Sequence, residues 1–428
     1  MARIQSPPGM HDVLPDAYRW VNYLETIFSR VAEAYGFSRM ETTMAEFEEV
    51  FTRGIGTATD VVEKQMYTFR TRGRDKLALR PEGTAGIVRA YLQHGMRTWP
   101  QPVRLWYMGP MFRYERPQAG RYRQFWQAGF ETLGEEEAIV DAEILVLTTL
   151  ALRELGLKLF SVHVNSLGCG QCRPVYRKIF VGYLRSRQTQ LCAQCRQRMK
   201  VNPLRVLDCK EERCRQVVEG APETFDHLCE ACRAHFRVFL EYLEELKVSY
   251  NVNSRIVRGL DYYTRTVFEV FPGSENETEK PSQSALVSGG RYDPLFRALG
   301  GRQTGGVGTA FGVERIIAAL KEAGVELPTP QPPQVFLAQL GEQAKRKAPA
   351  LFEELRQSRF RIRASFGRDS IKSQLRIADK LGAPFVIILG QKEVSDETVI
   401  LRAMSTGAQE TVKRSQLVQT LRERLRKA

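Results

Sequence analysis

The sequence predicts an α+β protein. An antiparallel sheet carries most of the chain, a helical, cysteine-rich insertion interrupts it, and a smaller α/β domain follows at the C-terminal end. Three observations point there. Before residue 324, strand-like stretches follow one another without regularly spaced helices, the pattern of an antiparallel sheet rather than of βαβ units. All eight cysteines fall between Cys169 and Cys232, inside a polar, helix-rich block. Beyond a proline-rich stretch, short apolar strands alternate with helical patterns, which predicts a partly parallel sheet.

The elements follow in order. Tyr18–Tyr35 has the spacing of an amphipathic helix. The stretches "PVRLWYMGPMFRYER" (102–116), "RQFWQAGFETLG" (123–134), "YTRTVFEVF" (263–271) and "SALVSGGRYD" (284–293) read as strands with turns between them. In the third, Val267, Glu269 and Phe271 alternate with Phe268 and Val270, the period of a strand. "GVGTAFGVERIIAALKEAG" (306–324) is a glycine-rich strand running into a helix. "GVELPTPQPPQ" (324–334) has four prolines and no periodicity, and reads as a linker. After it, 335–340, 361–366 and 385–390 are apolar strands, with helical patterns at 342–358 and 370–381. The expected boundaries are a main domain at 1–325 with an insertion at 168–245, a linker at 326–334 and a C-terminal domain at 335–428.

A chain of 428 residues exceeds what one core supports. Its 43% hydrophobic and 26% charged residues describe a globular protein. No apolar run is long enough to span a bilayer, and Met1–Pro8 has no signal-peptide core, so the expected location is the cytoplasm with no membrane partner. The net charge of +14 points to a polyanionic partner. From Gln334 to Ala428 there are 19 Lys plus Arg against 10 Asp plus Glu. Less than a quarter of the chain thus carries more than half of the excess, which marks the C-terminal domain as the module that meets the polyanion.

The cysteines come in pairs: Cys169/Cys172, Cys192/Cys195, Cys209/Cys214 and Cys229/Cys232. A cytosolic chain does not hold structural disulfides, whereas thiol pairs at this spacing can converge on a tetrahedral zinc. One or two structural four-cysteine zinc sites fit; so do free cysteines in a helical insertion. The spacing leaves open which pairs would join. No histidine stands at ligand spacing within a pair, which speaks against a catalytic zinc.

Four stretches carry candidate chemistry. "RGLDYY" (258–263) crowds a cation and two phenols at the mouth of a strand. "LRPEGTAG" (79–86) places a carboxylate and a hydroxyl on a tight turn. "FRYERPQAGRYRQFWQAGFE" (112–131) ends one strand in Arg113 and Glu115, passes a basic loop, and returns with Phe125, Gln127, Gly129 and Glu131 on one face. "GVGTAFGVER" (306–315) brings Arg315 to a helix start. Guanidinium forks match phosphate oxygens and stay charged, an aromatic such as Phe125 can stack on a base, and carboxylates and phenols can hold an ammonium group. The combination fits a pocket for a triphosphate and a small zwitterion.

These stretches carry a family resemblance. "FRYE…GRYRQF" resembles motif 2, and "GVGTAFGVERI" motif 3, of class II aminoacyl-tRNA synthetases. "RGLDYY" and "SGGRYD" resemble the two signature peptides of bacterial-type histidyl-tRNA synthetases, and "PPGMHDVLP" (7–15) and "LRPEGTA" (79–85) fit the same family. The resemblance spans nearly the whole chain. It implies a class II catalytic domain on a six-stranded antiparallel sheet, an insertion near the tRNA acceptor stem, an anticodon-binding C-terminal domain and a homodimer. It further implies ATP as a substrate with Mg2+, L-histidine and tRNA(His) as partners, and histidyl-adenylate as the intermediate. By resemblance, Arg258 and Arg113 are the catalytic cations. Glu82, Gly83, Thr84, Gln127, Glu131, Arg258, Tyr262 and Tyr263 line the histidine site, and Arg113, Glu115, Arg121, Phe125 and Arg315 the ATP site. Two departures stand out: Trp126 occupies a position where the family commonly has histidine, and the insertion is unusually rich in cysteine pairs.

Two other readings compete. A synthetase-like regulatory subunit of ATP phosphoribosyltransferase would share the catalytic fold but lose parts of the signature peptides and the C-terminal domain, all of which this chain keeps. A non-enzymatic zinc-ribbon nucleic-acid-binding protein explains cysteines and charge but not the Glu82, Glu131 and Tyr263 pocket.

Overall fold

The computed structural model describes residues 3–56, 59–116, 122–273, 285–329 and 331–427. The chain divides into two compact units, Met1–Leu327 and Pro328–Ala428.

The first unit opens with α1 (Pro15–Ala34), with proline in its first turn, where the missing N–H is no loss. Its strands are β1 (Ser38–Arg39), β2 (Ala45–Phe47), β3 (Thr68–Arg70), β4 (Lys76–Leu79), β5 (Val103–Phe112), β6 (Gln124–Leu133), β7 (Phe160–Ser166), β8 (Asn251–Val252), β9 (Thr264–Pro272), β10 (Val287–Arg291) and β11 (Gly306–Gly312). Its other helices are α2 (Glu48–Ile55), α3 (Thr84–Gln93), α4 (Ala138–Glu154), α5 (Cys172–Arg185), α6 (Ala193–Val201), α7 (Glu212–Glu219), α8 (Glu230–Glu245), α9 (Asp293–Ala298) and α10 (Val313–Glu322). The main sheet runs β1-β5-β6-β11-β10-β9-β7-β8, and β2-β4-β3 form a small second sheet. The six central strands pair antiparallel throughout. The two-residue edge strands β1 and β8 add parallel pairs that were not expected.

Period-2 alternation sends the two faces of this sheet to different cores. Phe130, Phe268, Val270 and Phe311 pack with Leu24 and Phe28 of α1, Leu145 and Leu152 of α4 and Phe239 of α8. Tyr107, Leu133 and Val267 point the other way, into a cluster with Tyr91, Tyr292 and Phe296. The second face carries the site.

The cysteine-rich block is helical, but it does not close on itself. Its middle has its own small core of Tyr176, Phe180, Leu184, Val206 and Val217 with four of the cysteines. Its last helix, α8, instead buries Phe236, Phe239 and Leu243 in the main core. A small insertion has too little apolar surface to stabilise a separate domain, and α8 ties it to the sheet.

The second unit has strands β12 (Val335–Gln339), β13 (Ile362–Ala364), β14 (Phe385–Leu389), β15 (Thr398–Ala403) and β16 (Gln409–Lys413), with helices α11 (Glu342–Gln357), α12 (Ile371–Lys380), α13 (Gln391–Ser395) and α14 (Leu417–Lys427). The sheet order is β13-β12-β14-β15-β16. The first three strands are parallel and the last two antiparallel, so the partly parallel sheet is present; the hairpin β15–β16 was not foreseen.

One buried network fixes the sheet to α4. Arg291 and Asp141 are both fully buried. Arg291 donates to Asp141 at 2.5 Å and to Asp293 at 3.1 Å, and to the carbonyls of Glu135 and Glu137. His235 of α8 meets Asp141 at 2.8 Å. Burial alone would raise the Asp141 pKa, yet Arg291 and His235 hold it below the ordinary range. Removing one partner of such a pair leaves a buried charge unpaired, at about 3–5 kcal/mol. Arg291→Met should therefore lower the unfolding free energy of the first unit by about that amount, and Arg291→Met/Asp141→Leu should recover much of it, as read by denaturant titration.

Candidate active site

A cleft opens over the second face of the sheet. Glu82, Thr84, Arg113, Glu115, Phe125, Gln127, Arg258, Tyr262, Tyr263 and Arg315 all line it. Residues from four distant stretches of sequence thus converge. Arg121 lies outside the described residues.

Two buried carboxylates lie at the base of the cleft: Glu82 lines it, whereas Glu131 and Gly83 do not, Glu131 sitting beneath the lining residue Thr84 and Gly83 beside Thr84 in sequence. Glu82 is 3% exposed. It accepts from the backbone N–H groups of Thr84 and Ala85 at 2.7 and 2.8 Å, the open first turn of α3, where a carboxylate is favoured. Tyr262 donates to it at 3.3 Å. Burial raises the Glu82 pKa against these donors. Glu131 is 1% exposed. Thr84 Oγ1 donates to its Oε1 at 2.7 Å, and the Tyr292 hydroxyl to its Oε2 at 2.6 Å. Burial outweighs both hydroxyls and pushes its pKa up to about 8. The phenols of Tyr107, Tyr262 and Tyr292 are pushed up by burial first and neighbouring carboxylates second, so they remain donors.

Small residues make this floor sterically feasible. Gly308 of β11 pairs with Glu131 across the ladder, and a Cβ there would stand 1.6 Å from Glu131 Oε2. Tyr107 lies against Gly83 and Gly129, whose Cβ positions would fall 2.3 and 2.5 Å from its ring. Gln127 Oε1 accepts from Gly83 N at 3.0 Å and from the Tyr107 hydroxyl at 3.2 Å, which locks the turn before α3 to β6.

The cations sit above the floor. Arg258 donates to Glu269 at 2.7 Å and lies over the Tyr263 ring at 4.8 Å. Burial disfavours its charge, but Tyr263 and Glu269 overcome this and raise its pKa. Its Nε is buried without a hydrogen-bond partner among the described residues. Arg113 donates to the Pro81 carbonyl at 2.8 Å and stands 5.2 Å from the Phe125 ring centroid. Arg315, in the first turn of α10, donates to the Ala285 carbonyl at 3.0 Å.

Sequence reasoning missed Tyr107, Tyr292 and Glu314. Tyr292 lies in the quoted "SGGRYD", but a tyrosine at a strand end looks like any core aromatic until its partner is known. Glu314 lines the cleft and accepts from the Trp126 backbone N–H at 2.8 Å. Trp126 itself turns to the other face, edge-on to Tyr18 of α1.

The cysteines form two groups: Cys169, Cys172, Cys229 and Cys232, and Cys192, Cys195, Cys209 and Cys214, each with all sulfurs within 4.8 Å of one another. The sets are nested, first pair with last, not neighbour with neighbour.

The chain matches the family model described as histidyl-tRNA synthetase over residues 9–316, and an anticodon-binding-domain model over 334–424. It is 45% identical to the histidine–tRNA ligase of Pelotomaculum thermopropionicum, covering 98% of this chain and 97% of that one. It is 43% identical to that of Dehalococcoides mccartyi strain 195, covering 98% and 100%. The crystal structure of apo S. aureus histidyl-tRNA synthetase superposes with a TM-score of 0.78 at 33% identity, covering 98% of this chain and all of that one.

Glu131 generates a pH dependence. Its pKa is raised from 4.5 to about 8 in the folded chain, so the fold binds one more proton than the unfolded chain between those values. Stability from this group is present in full below 4.5 and is lost as pH rises through about 8. Denaturation at pH 5 and pH 9 should therefore show the parent losing more stability than Glu131→Gln over that interval.

Proposed function

The chain belongs to the histidyl-tRNA synthetase family, and we propose that it activates L-histidine with ATP and transfers it to the 3′ end of tRNA(His). The observation that carries this is the cleft itself: a buried-carboxylate floor roofed by arginines, with an aromatic beside one of them. A histidine carboxylate oxygen attacks the α-phosphorus of ATP, the bond to the bridging oxygen breaks, and pyrophosphate leaves. The terminal ribose hydroxyl of tRNA(His) then attacks the activated carbonyl and AMP departs.

Each residue has a role in this reading. Arg258 and Arg113 face the α-phosphate oxygens, where charge is redistributed as the bond to pyrophosphate breaks, and fixed cations there supply most of the acceleration. Arg258 and Arg113 both line the cleft. Phe125 stacks on adenine with Arg113 beside it, and Arg121 and Arg315 hold the outer phosphates. Glu131, Tyr262 and Tyr263 receive the imidazole; Glu82, Gly83, Thr84 and Gln127 receive the ammonium group. Glu115 and Glu314, both lining the cleft, are oxygen donors of the kind that would hold Mg2+, which would supply neutralising charge to the triphosphate.

The C-terminal unit, with its +9 balance, reads the anticodon region. The described residues contain no helix long and apolar enough to cross a membrane, and the cytoplasm is the compartment in which this reaction is needed. Ile4, Val13, Leu14 and Tyr18 are exposed apolar side chains on the N-terminal segment, which supports a homodimer built there. The regulatory-subunit reading is not favoured: Arg113, Arg258 and Arg315 are all present in the cleft, and the anticodon-binding match is intact.

Arg258→Ala should slow adenylate formation by about 100- to 1,000-fold while histidine and ATP still bind, measured in single-turnover experiments. Because Glu269 loses its contact with Arg258, Arg258→Ala/Glu269→Gln serves as the folding control. A near-normal rate would remove Arg258 from the chemistry. A chain lacking 331–428 should keep histidine-dependent pyrophosphate exchange and lose tRNA charging, and added salt should weaken tRNA binding by the full chain.

A further inference from the structure

We propose that the two nested cysteine groups are two structural zinc sites, and that they brace the loop bearing Tyr262 and Tyr263. Zinc–sulfur bonds of about 2.3 Å at the tetrahedral angle place sulfurs about 3.8 Å apart. In the outer group Cys169–Cys172, Cys169–Cys229 and Cys172–Cys232 are each 3.8 Å apart. In the inner group Cys192–Cys209 is 4.0 Å. These separations are far from the roughly 2.05 Å of a disulfide, and the cysteines are free. Sulfurs this close enclose one ion.

Local structure converges on the sulfurs at both places. Cys172 opens α5, and Cys195, Cys214 and Cys232 lie in the first turns of α6, α7 and α8, so each group gathers its sulfurs at helix starts. Backbone N–H groups reach the sulfurs: Cys169 N to Cys172 at 3.1 Å, Cys192 N to Cys214 at 3.2 Å and Cys195 N to Cys192 at 3.3 Å. Six of the eight cysteines are buried. Four thiolates leave no open coordination position, so the ions are structural. The nesting follows from topology: an outer ion joins the two ends of the insertion, and an inner ion joins its middle.

The brace is visible in the contacts beside the ligands. Gly168, next to Cys169, accepts from Thr264 Oγ1 at 3.1 Å and Arg265 N at 2.9 Å. Arg173, next to Cys172, donates to the Tyr263 carbonyl at 3.1 Å and the Asp261 carbonyl at 3.4 Å. Asn202, the residue after α6, donates to Asp261 at 3.1 Å, and Arg205 pairs with Asp60 at 2.6 Å. Residues beside both cysteine groups therefore hold residues 261–265: Gly168 and Arg173 beside the outer group, Asn202 beside the inner. Releasing the metal frees these donors and loosens the tyrosines, while Arg113 and Arg315 are held elsewhere, on the Pro81 and Ala285 carbonyls.

The test combines metal analysis of the full chain, expressed with ample zinc, with paired serine variants. The parent should hold about two zinc ions, one for each set of four ligands. Cys172→Ser/Cys232→Ser should lose one, and so should Cys195→Ser/Cys214→Ser. Cys172→Ser/Cys195→Ser breaks both nested sets and should lose both; neighbour-with-neighbour pairing would lose only one. In pyrophosphate exchange, Cys172→Ser/Cys232→Ser should raise the histidine KM by about tenfold, since misplacing a binding group by about 1 Å can lose up to roughly 100-fold, with the ATP KM unchanged. If a serine pair does not fold, chelation and zinc re-addition to the parent read the same two quantities. Less than one zinc per chain, iron in its place, or a single ion surviving in Cys172→Ser/Cys195→Ser overturns the nested zinc sites. An unchanged histidine KM after metal loss overturns the brace. The brace rests on the proposed histidine site: a parent with no histidine-dependent exchange would refute that site and leave the zinc count standing.

Discussion

Burying Glu82 and Glu131 side by side is the constraint around which the catalytic unit is arranged. A carboxylate removed from water needs donors, and its own strand or turn does not supply them all. Glu82 takes the first-turn N–H groups of α3 and the Tyr262 hydroxyl. Glu131 takes hydroxyls from Thr84 and Tyr292. The turn before α3, the β9 approach and the β10 exit must therefore meet at one point over β6. Gly308 leaves the space that Glu131 occupies, and Gly83 and Gly129 leave the space for Tyr107.

The same logic separates the parts that hold the site from those that act in it. Arg291 and Asp141 are as buried as the floor, but Arg291 spends its donors on Asp141, Asp293 and two carbonyls, leaving nothing for a ligand. Arg258 is also buried and also paired, yet one of its nitrogens has no partner among the described residues. Arg258 lines the cleft and Arg291 does not; that placement separates the two. The cysteine-rich insertion extends the arrangement outward, since its contacts end on the loop carrying Tyr262 and Tyr263.

The main strands were legible because alternation is a local signal: β6 and β9 follow the expected ranges within a residue or two. So did α11 and α12, whose apolar spacing is strong. The edge strands β1 and β8 are two residues long and carry no period to detect. The lining residues Glu82, Arg113, Gln127 and Arg258, and Glu131 buried beside them, lie in the quoted stretches, and through the family resemblance they stood out as site residues. Tyr107 and Tyr292 did not, because a buried tyrosine with a carboxylate partner and one without are identical in sequence. The nested cysteine pairing was equally hidden: which pairs meet depends on how α5 and α8 return to a common root, not on the residues between them. Nor did the polar character of the insertion disclose that α8 would join the main core, since three apolar residues at helical spacing fit either packing.

The account stands or falls on whether this floor selects an imidazole-bearing amino acid for activation. Amino-acid-dependent exchange of labelled pyrophosphate into ATP, run with each standard amino acid in turn on the full chain, tests this most directly. Exchange with L-histidine and background rates with the rest is the predicted result. Exchange with a different amino acid, or with none, would contradict it.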